Sequence, residues 1–195
     1  MSKVNKLKLA KKAAEKIVHG DRLTTYIPAG LASAQPPLGS QLGQRNLNIA
    51  AFIKDFNERT AHIKEGIPLP CRIKIKPDRS YELVIHQPPS TYYLKQAAGI
   101  QRGAINSKTE VAGMITLKHL YEIAKIKSQD PPLAMMSLKQ ITEMLVGTAK
   151  TIGIKIVREL DPDELGKFLE ERAIIDAQQR AAIEEAKEAK KLRTV

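Results

Sequence analysis

The chain has 195 residues, 43% of them apolar and 27% charged, and 32 Lys and Arg against 21 Asp and Glu give it a net charge of +11. That length holds one or two small domains, and no run approaches the roughly 18 apolar residues that a membrane-spanning helix requires. A single cysteine, Cys71, excludes an internal disulfide and a multi-cysteine metal site, and the basic excess points to a polyanionic partner such as nucleic acid.

The charge is unevenly placed. Residues 1–20 carry six Lys and one Glu, residues 21–88 nine basic and six acidic groups, residues 89–157 nine and four, and residues 158–195 eight and ten. The excess therefore belongs to everything before residue 158. The first 20 residues are rich in Lys and Ala, with Leu7, Leu9, Ile17 and Val18 at loosely helical spacing. They suit a basic arm on RNA, an amphipathic import signal or a frayed solvated helix, and no apolar secretory core is present.

Residues 23–27 read as a short strand stopping at Pro28. A small-residue stretch follows, with Pro36 and Pro37 adjacent; tandem prolines restrict φ and exclude helix just before them, so this loop is stiff. Asn48 is placed to cap a helix whose Ile49, Phe52, Ile53 and Phe56 share one face. Cys71, Ile73 and Ile75 alternate with Arg72, Lys74 and Lys76, the pattern of a half-buried strand with a basic outer side. Residues 77–79 make a turn and residues 81–86 return as its hairpin partner. Pro88 and Pro89 resist both helix and central strand and mark a domain boundary.

Residues 91–98 read as a short helix ending at Gly99, and residues 99–115 as a glycine-containing loop. Thr116 caps a helix with Leu117, Leu120 and Ala124 inward. Ser137 caps another with Leu138, Ile141, Leu145, Thr148 and Ile152 inward, stopped by Gly153. Ile154 and Ile156 flank Lys155 in a last short strand. Asp161-Pro162-Asp163-Glu164 is a helix start, opening a charged helix to about residue 193. Its large apolar groups, Leu165, Phe168, Leu169 and Ile175, thin out along its length, which predicts a projecting helix docked only near its beginning.

No constellation supports catalysis. The four histidines show no ligand spacing, and no nucleophile motif is present. Gly147-Thr148-Ala149-Lys150-Thr151 resembles a phosphate loop but lacks a glycine before the lysine and sits at a helix end. No cofactor, metal or small-molecule substrate is expected. Gly147 stands out, because glycine inside a periodic helix costs about 1 kcal/mol relative to alanine. Close helix packing and close approach of an RNA backbone both account for it. With no Trp and only eight aromatic residues, base-stacking platforms are not expected, and RNA would be read through shape and phosphates.

Several ordered motifs carry a resemblance. Ala34-Gln35-Pro36-Pro37-Leu38-Gly39-Ser40-Gln41-Leu42-Gly43-Gln44, Asn48-Ile49 and Phe52-Ile53-Lys54-Asp55-Phe56-Asn57-Glu58-Arg59-Thr60 are followed by Pro77-Asp78-Arg79-Ser80 and Pro88-Pro89. Leu94-Lys95-Gln96-Ala97-Ala98-Gly99 and Gly147-Thr148-Ala149-Lys150-Thr151-Ile152-Gly153 then continue the series. Over about residues 23–157 this resembles the large-subunit ribosomal protein eleven family. The resemblance implies an α+β chain: an N-terminal domain (21–87) with a small antiparallel sheet on helices, and a compact helical domain (88–157) that binds large-subunit rRNA. These are flanked by the basic arm (1–20) and a charged helical extension (158–195).

It further implies a place at the stalk base, the GTPase-associated centre, with stalk proteins, translational GTPases and neighbouring large-subunit proteins as partners and no membrane. The rRNA surface would comprise Thr91, Lys95, Gly99, Arg102, Lys108, Gly147, Thr148, Lys150, Thr151 and Gly153. Gln35, Pro36, Pro37 and Gly39 would form the loop that faces factors and thiostrepton-type antibiotics. Gln96 and Lys150 replace a family lysine and arginine, and Lys150 neutralises phosphate without the bidentate fork. Glu110-Val111-Ala112-Gly113, residues 116–127 and the C-terminal extension resemble the mitochondrial branch, which places the chain in the mitochondrial matrix, in the large subunit of the mitoribosome. A bacterial or plastid member, or a non-ribosomal nucleic-acid-binding regulator on the same fold, are the alternatives.

Overall fold

The computed structural model describes residues 20–192, so the basic arm read over residues 1–20 lies outside the described residues except for Gly20. The chain divides into two compact units, Met1–Pro89 and Ser90–Val195.

In the first unit, strands β1 (Arg22–Pro28), β2 (Pro68–Ile75) and β3 (Tyr81–Ile85) form an antiparallel sheet with β2 in the centre. Arg22 faces Lys74 and Pro28 faces Pro68, while β3 pairs only with residues 71–75 of β2. Pro68 therefore falls where β2 has one neighbour, Pro70 lies at the end of the ladder with β3, its carbonyl accepting the N–H of His86, and Pro28 lies in an edge strand, the kinds of position where a sheet tolerates proline. Between β1 and β2 come helices α1 (Leu38–Gly43) and α2 (Ile49–Thr60). Asn48 caps α2 through its side-chain oxygen, which accepts from the N–H of Ala51.

Leu23, Ile27, Leu69, Cys71 and Ile73 on the inner face of the sheet pack with Phe52 and Phe56 of α2 in one core. Tyr81 closes its edge, ring edge to Phe52 at 5.2 Å and hydroxyl donating to Asp55. Burial pushes the Cys71 thiol up to about 12, because an apolar surrounding opposes the thiolate.

The second unit has helices α3 (Ser90–Ala97), α4 (Leu117–Lys127), α5 (Leu138–Ile152) and α6 (Pro162–Leu192). It is not wholly helical. Residues 113–115, expected as loop, form β4 (Gly113–Thr116) together with the cap Thr116, and it runs parallel to β5 (Ile154–Val157). A four-residue strand paired with one some forty residues later along the chain carries no local hairpin signal. Thr116 and Ser137 cap α4 and α5 in reciprocal capping boxes; His119 Nδ1 accepts the N–H of Thr116, a role for which Glu or Gln is usual.

The core holds Leu94, Ile115, Leu120, Ile123, Ala124, Ile141, Leu145, Ala149 and Ile154. Leu117 and Leu138, expected inward, are 50% and 37% exposed. Each is the first residue after its cap, where the helix has not yet turned onto its neighbours. Ala149, rather than Thr148, faces the core. At the end of α4, Lys127 and the following Asp130 form a buried ion pair that no pattern in the sequence announced.

Candidate nucleic-acid interface

The second unit gathers most of the expected rRNA residues around one loop and one helix end. The last turn of α3 runs straight into residues 99–112: the N–H of Gly99 bonds to Gln96 O and that of Ile100 to Lys95 O. Gly99 has φ +67°, the left-handed conformation that ends a helix at little cost only in glycine. The loop is then stitched to the end of α5. Ala104 N–H bonds to Ile152 O at 2.8 Å, and Ala112 N–H to Gly153 O at 2.7 Å.

Thr91, Lys108, Lys150 and Thr151 are exposed, and Lys95, Arg102 and Thr148 are half-buried. The hydroxyls of Thr148 and Thr151 donate to their own helix, to Met144 O and Thr148 O, which leaves oxygen lone pairs rather than protons for an outside partner.

Two of the predicted glycines play different parts. At Gly147 an added Cβ would meet no atom within 4 Å, so helix packing does not require the glycine, and the bare backbone looks outward. Gly153 is the reverse. It is buried with φ +82°, and a Cβ there would lie 2.5 Å from the Ala104 Cβ and 3.0 Å from Glu110 O. Its part in the fold is to end α5 and let the loop close on it.

Glu110 organises this loop, and sequence reasoning assigned it no role in the site. One carboxylate oxygen accepts the N–H groups of Ile105 and Asn106 at 2.9 and 3.4 Å. The other accepts from Gln179 Nε2 at 2.7 Å and from the Arg172 guanidinium. The Arg172 guanidinium holds the Glu110 carboxyl down at about 2, with Gln179 and the two backbone donors helping. Arg102 donates to Gln179 Oε1. The α6 helix thus docks through Arg172 and Gln179 at mid-length, with Leu165 and Phe168 half-buried nearer its start, a correction to docking only near its start. Apolar periodicity cannot reveal contacts made by charged side chains.

In the first unit the diproline loop is held from α2. Thr60, fully buried, donates to Phe56 O and accepts the N–H of Gly30. Asn57 bonds both the N–H and the C=O of Ala32. Gln35, Pro36 and Pro37, the last two joined by a cis peptide, are exposed beside a pocket of about 200 Å³ lined by Tyr26, Ile27, Leu31 and Leu38. Gly39 does not face outward. It is buried, and a Cβ would fall 1.9 Å from Ala34 O, so its part is to let the loop turn tightly.

These two arrangements coincide with two family domains. Residues 23–81 match the N-terminal domain of ribosomal protein L11, and residues 86–156 match the ribosomal protein L11 RNA binding domain. The chain belongs to the ribosomal protein L11 family. It is 60% identical to the large ribosomal subunit protein uL11m of Drosophila melanogaster over 195 residues, the whole of both chains. Against uL11m of Caenorhabditis elegans it is 53% identical over 189 residues, 96% of each. With uL11 of Rickettsia rickettsii it shares 40% identity over 136 residues, 69% of this chain and 92% of the other. The long helix α6 lies beyond both L11 domain matches.

Proposed function

We infer that this chain is a structural constituent of the mitochondrial large ribosomal subunit, without catalytic activity, and that its second unit grips large-subunit rRNA. The contact is made by Thr91 and Lys95 on α3, by Gly99 just beyond it, by the loop carrying Arg102 and Lys108, and by Gly147, Thr148, Lys150 and Thr151 of α5. The observation that carries this reading is Gly147: a glycine in a helix interior, with open space where a side chain would sit, flanked by exposed Lys150 in a domain of the RNA-binding L11 type. A phosphate backbone can approach such a surface more closely than it could any side chain, and the lysines neutralise its charge.

The exposed Gln35, Pro36 and Pro37 supply little charge and a stiff shape. We assign them to contacts with stalk proteins and translational GTPases at the stalk base rather than to rRNA affinity.

The test uses the full chain and a transcript of the stalk-base rRNA. Gly147→Leu keeps or raises the melting temperature, since leucine is the better helix former by about 1 kcal/mol, while affinity falls about tenfold or more, a loss of roughly 1.4 kcal/mol. Lys95→Ala and Lys150→Ala each lower the slope of log affinity against log salt by roughly one. A Gly147→Leu chain that stays folded and binds normally removes this helix face from the interface.

A further inference from the structure

The rRNA reading leaves α6 without a task, yet the helix is not loosely attached. Among its described side chains, Leu165, Phe168, Arg172, Asp176 and Gln179 are the buried or half-buried ones, and their spacing puts them on one stripe. Arg172 is 5% exposed. Its guanidinium reaches Glu110 and, at 2.8 Å, Asp176, while the amide of Gln179 serves Arg102 with its oxygen and Glu110 with its nitrogen.

Glu110 is also the sole acidic residue between Pro89 and Tyr121. It lies in the loop expected to meet phosphates, where its charge would repel them. The counter-charge that Glu110 meets comes from Arg172 of the helix rather than from the loop's own Arg102 or Lys108. Removing either partner would leave the other's charge uncompensated in a largely enclosed contact.

We propose that α6 is a strut of the RNA-binding unit, and that Arg172 and Gln179 are positioning residues. They hold Glu110, and through it the turn at residues 105–110, in the conformation that presents Arg102 and Lys108 to rRNA. This rests on the reading that the loop meets rRNA. It distinguishes α6 from a shield: a helix that merely covered Arg102 would need neither a buried arginine nor a bond to Glu110.

Two readouts on the full-length chain decide it: hydrogen exchange at the Ile105 and Asn106 amides, and affinity for the stalk-base transcript. Arg172→Gln removes a charged hydrogen bond and is expected to speed that exchange roughly tenfold or more and to weaken binding by a similar factor. Arg172→Lys keeps the charge without the fork and restores part of both. Gln179→Ala, which removes a neutral group, gives a smaller loss of the same kind and serves where Arg172→Gln fails to fold.

Lys108→Ala weakens binding in the natural chain but adds little on top of Arg172→Gln, because both act through one loop. Unchanged exchange at residues 105 and 106, additive effects of the two substitutions, or tighter binding by Arg172→Gln would each overturn the strut. A natural chain that fails to bind the transcript overturns the rRNA reading, and with it the presentation of Arg102 and Lys108, while exchange still judges the contact between α6 and the loop.

Discussion

Each unit of this protein holds an exposed loop from behind with a helix, but the two do so with different chemistry. In the first, α2 holds the diproline loop through a buried threonine hydroxyl and an asparagine amide, on a core built around Phe52 and Phe56. In the second, α6 holds the loop of residues 99–112 through Glu110 and two arginines. The neutral clasp sits on an aromatic core and contains no titrating group. The charged clasp lies between a loop and a long helix whose side chains are largely exposed. A basic, RNA-facing loop needs its lone carboxylate cancelled; a loop of small residues and prolines needs only its backbone donors satisfied.

The largest effect should come from the aromatic core beneath the neutral clasp. Phe56→Ala removes a fully buried ring and is expected to cost about 3–5 kcal/mol. Labelling of Cys71 measures it, because the folded thiol is buried and protonated at neutral pH and reacts only on opening. Unchanged labelling would mean that the core does not rest on this ring.

A smaller loss, about 1–3 kcal/mol, is expected from Thr60→Val, which leaves the Gly30 N–H without its acceptor. Faster exchange at the Gly30 amide with unaltered affinity for rRNA would sharpen the contrast between the loops. A fall in affinity as large as that of Gly147→Leu would break it.

The mildest perturbation is acid. Glu110 titrates at about 2 in the folded chain, against an ordinary value of 4.5. A carboxyl depressed by folding contributes stability that is present above about 4.5 and fades as pH falls toward 2. Exchange protection at Ile105 and Asn106 should therefore weaken across that window, and Arg172→Gln should move the loss upward toward 4.5. The contact from Thr60 to Gly30 has no group that titrates there, so its protection should not follow the same curve.

Much of this was legible in the residues themselves. Asn48, Thr116 and Ser137 announced three helix starts because a cap needs only a side-chain oxygen and the next few N–H groups. Alternation marked β2, and the i, i+3, i+4 pattern marked the buried face of α2. The ordered motifs around Pro36, Lys95 and Gly147 were enough to suggest the family. These are local relations, spanning a few residues, and local stereochemistry determines them.

What tertiary structure decided were relations across long separations. β4 exists because β5 lies beside it. Gly147 and Gly153, both expected to meet rRNA, part company because one faces open space and the other the Ala104 Cβ. Glu110 and Arg172 stand 62 residues apart, in a loop and a helix whose sequences each look solvated. A charged side chain carries no periodic signature of its partner, so only the packing of α6 against the loop could show that Arg172 is buried on Glu110.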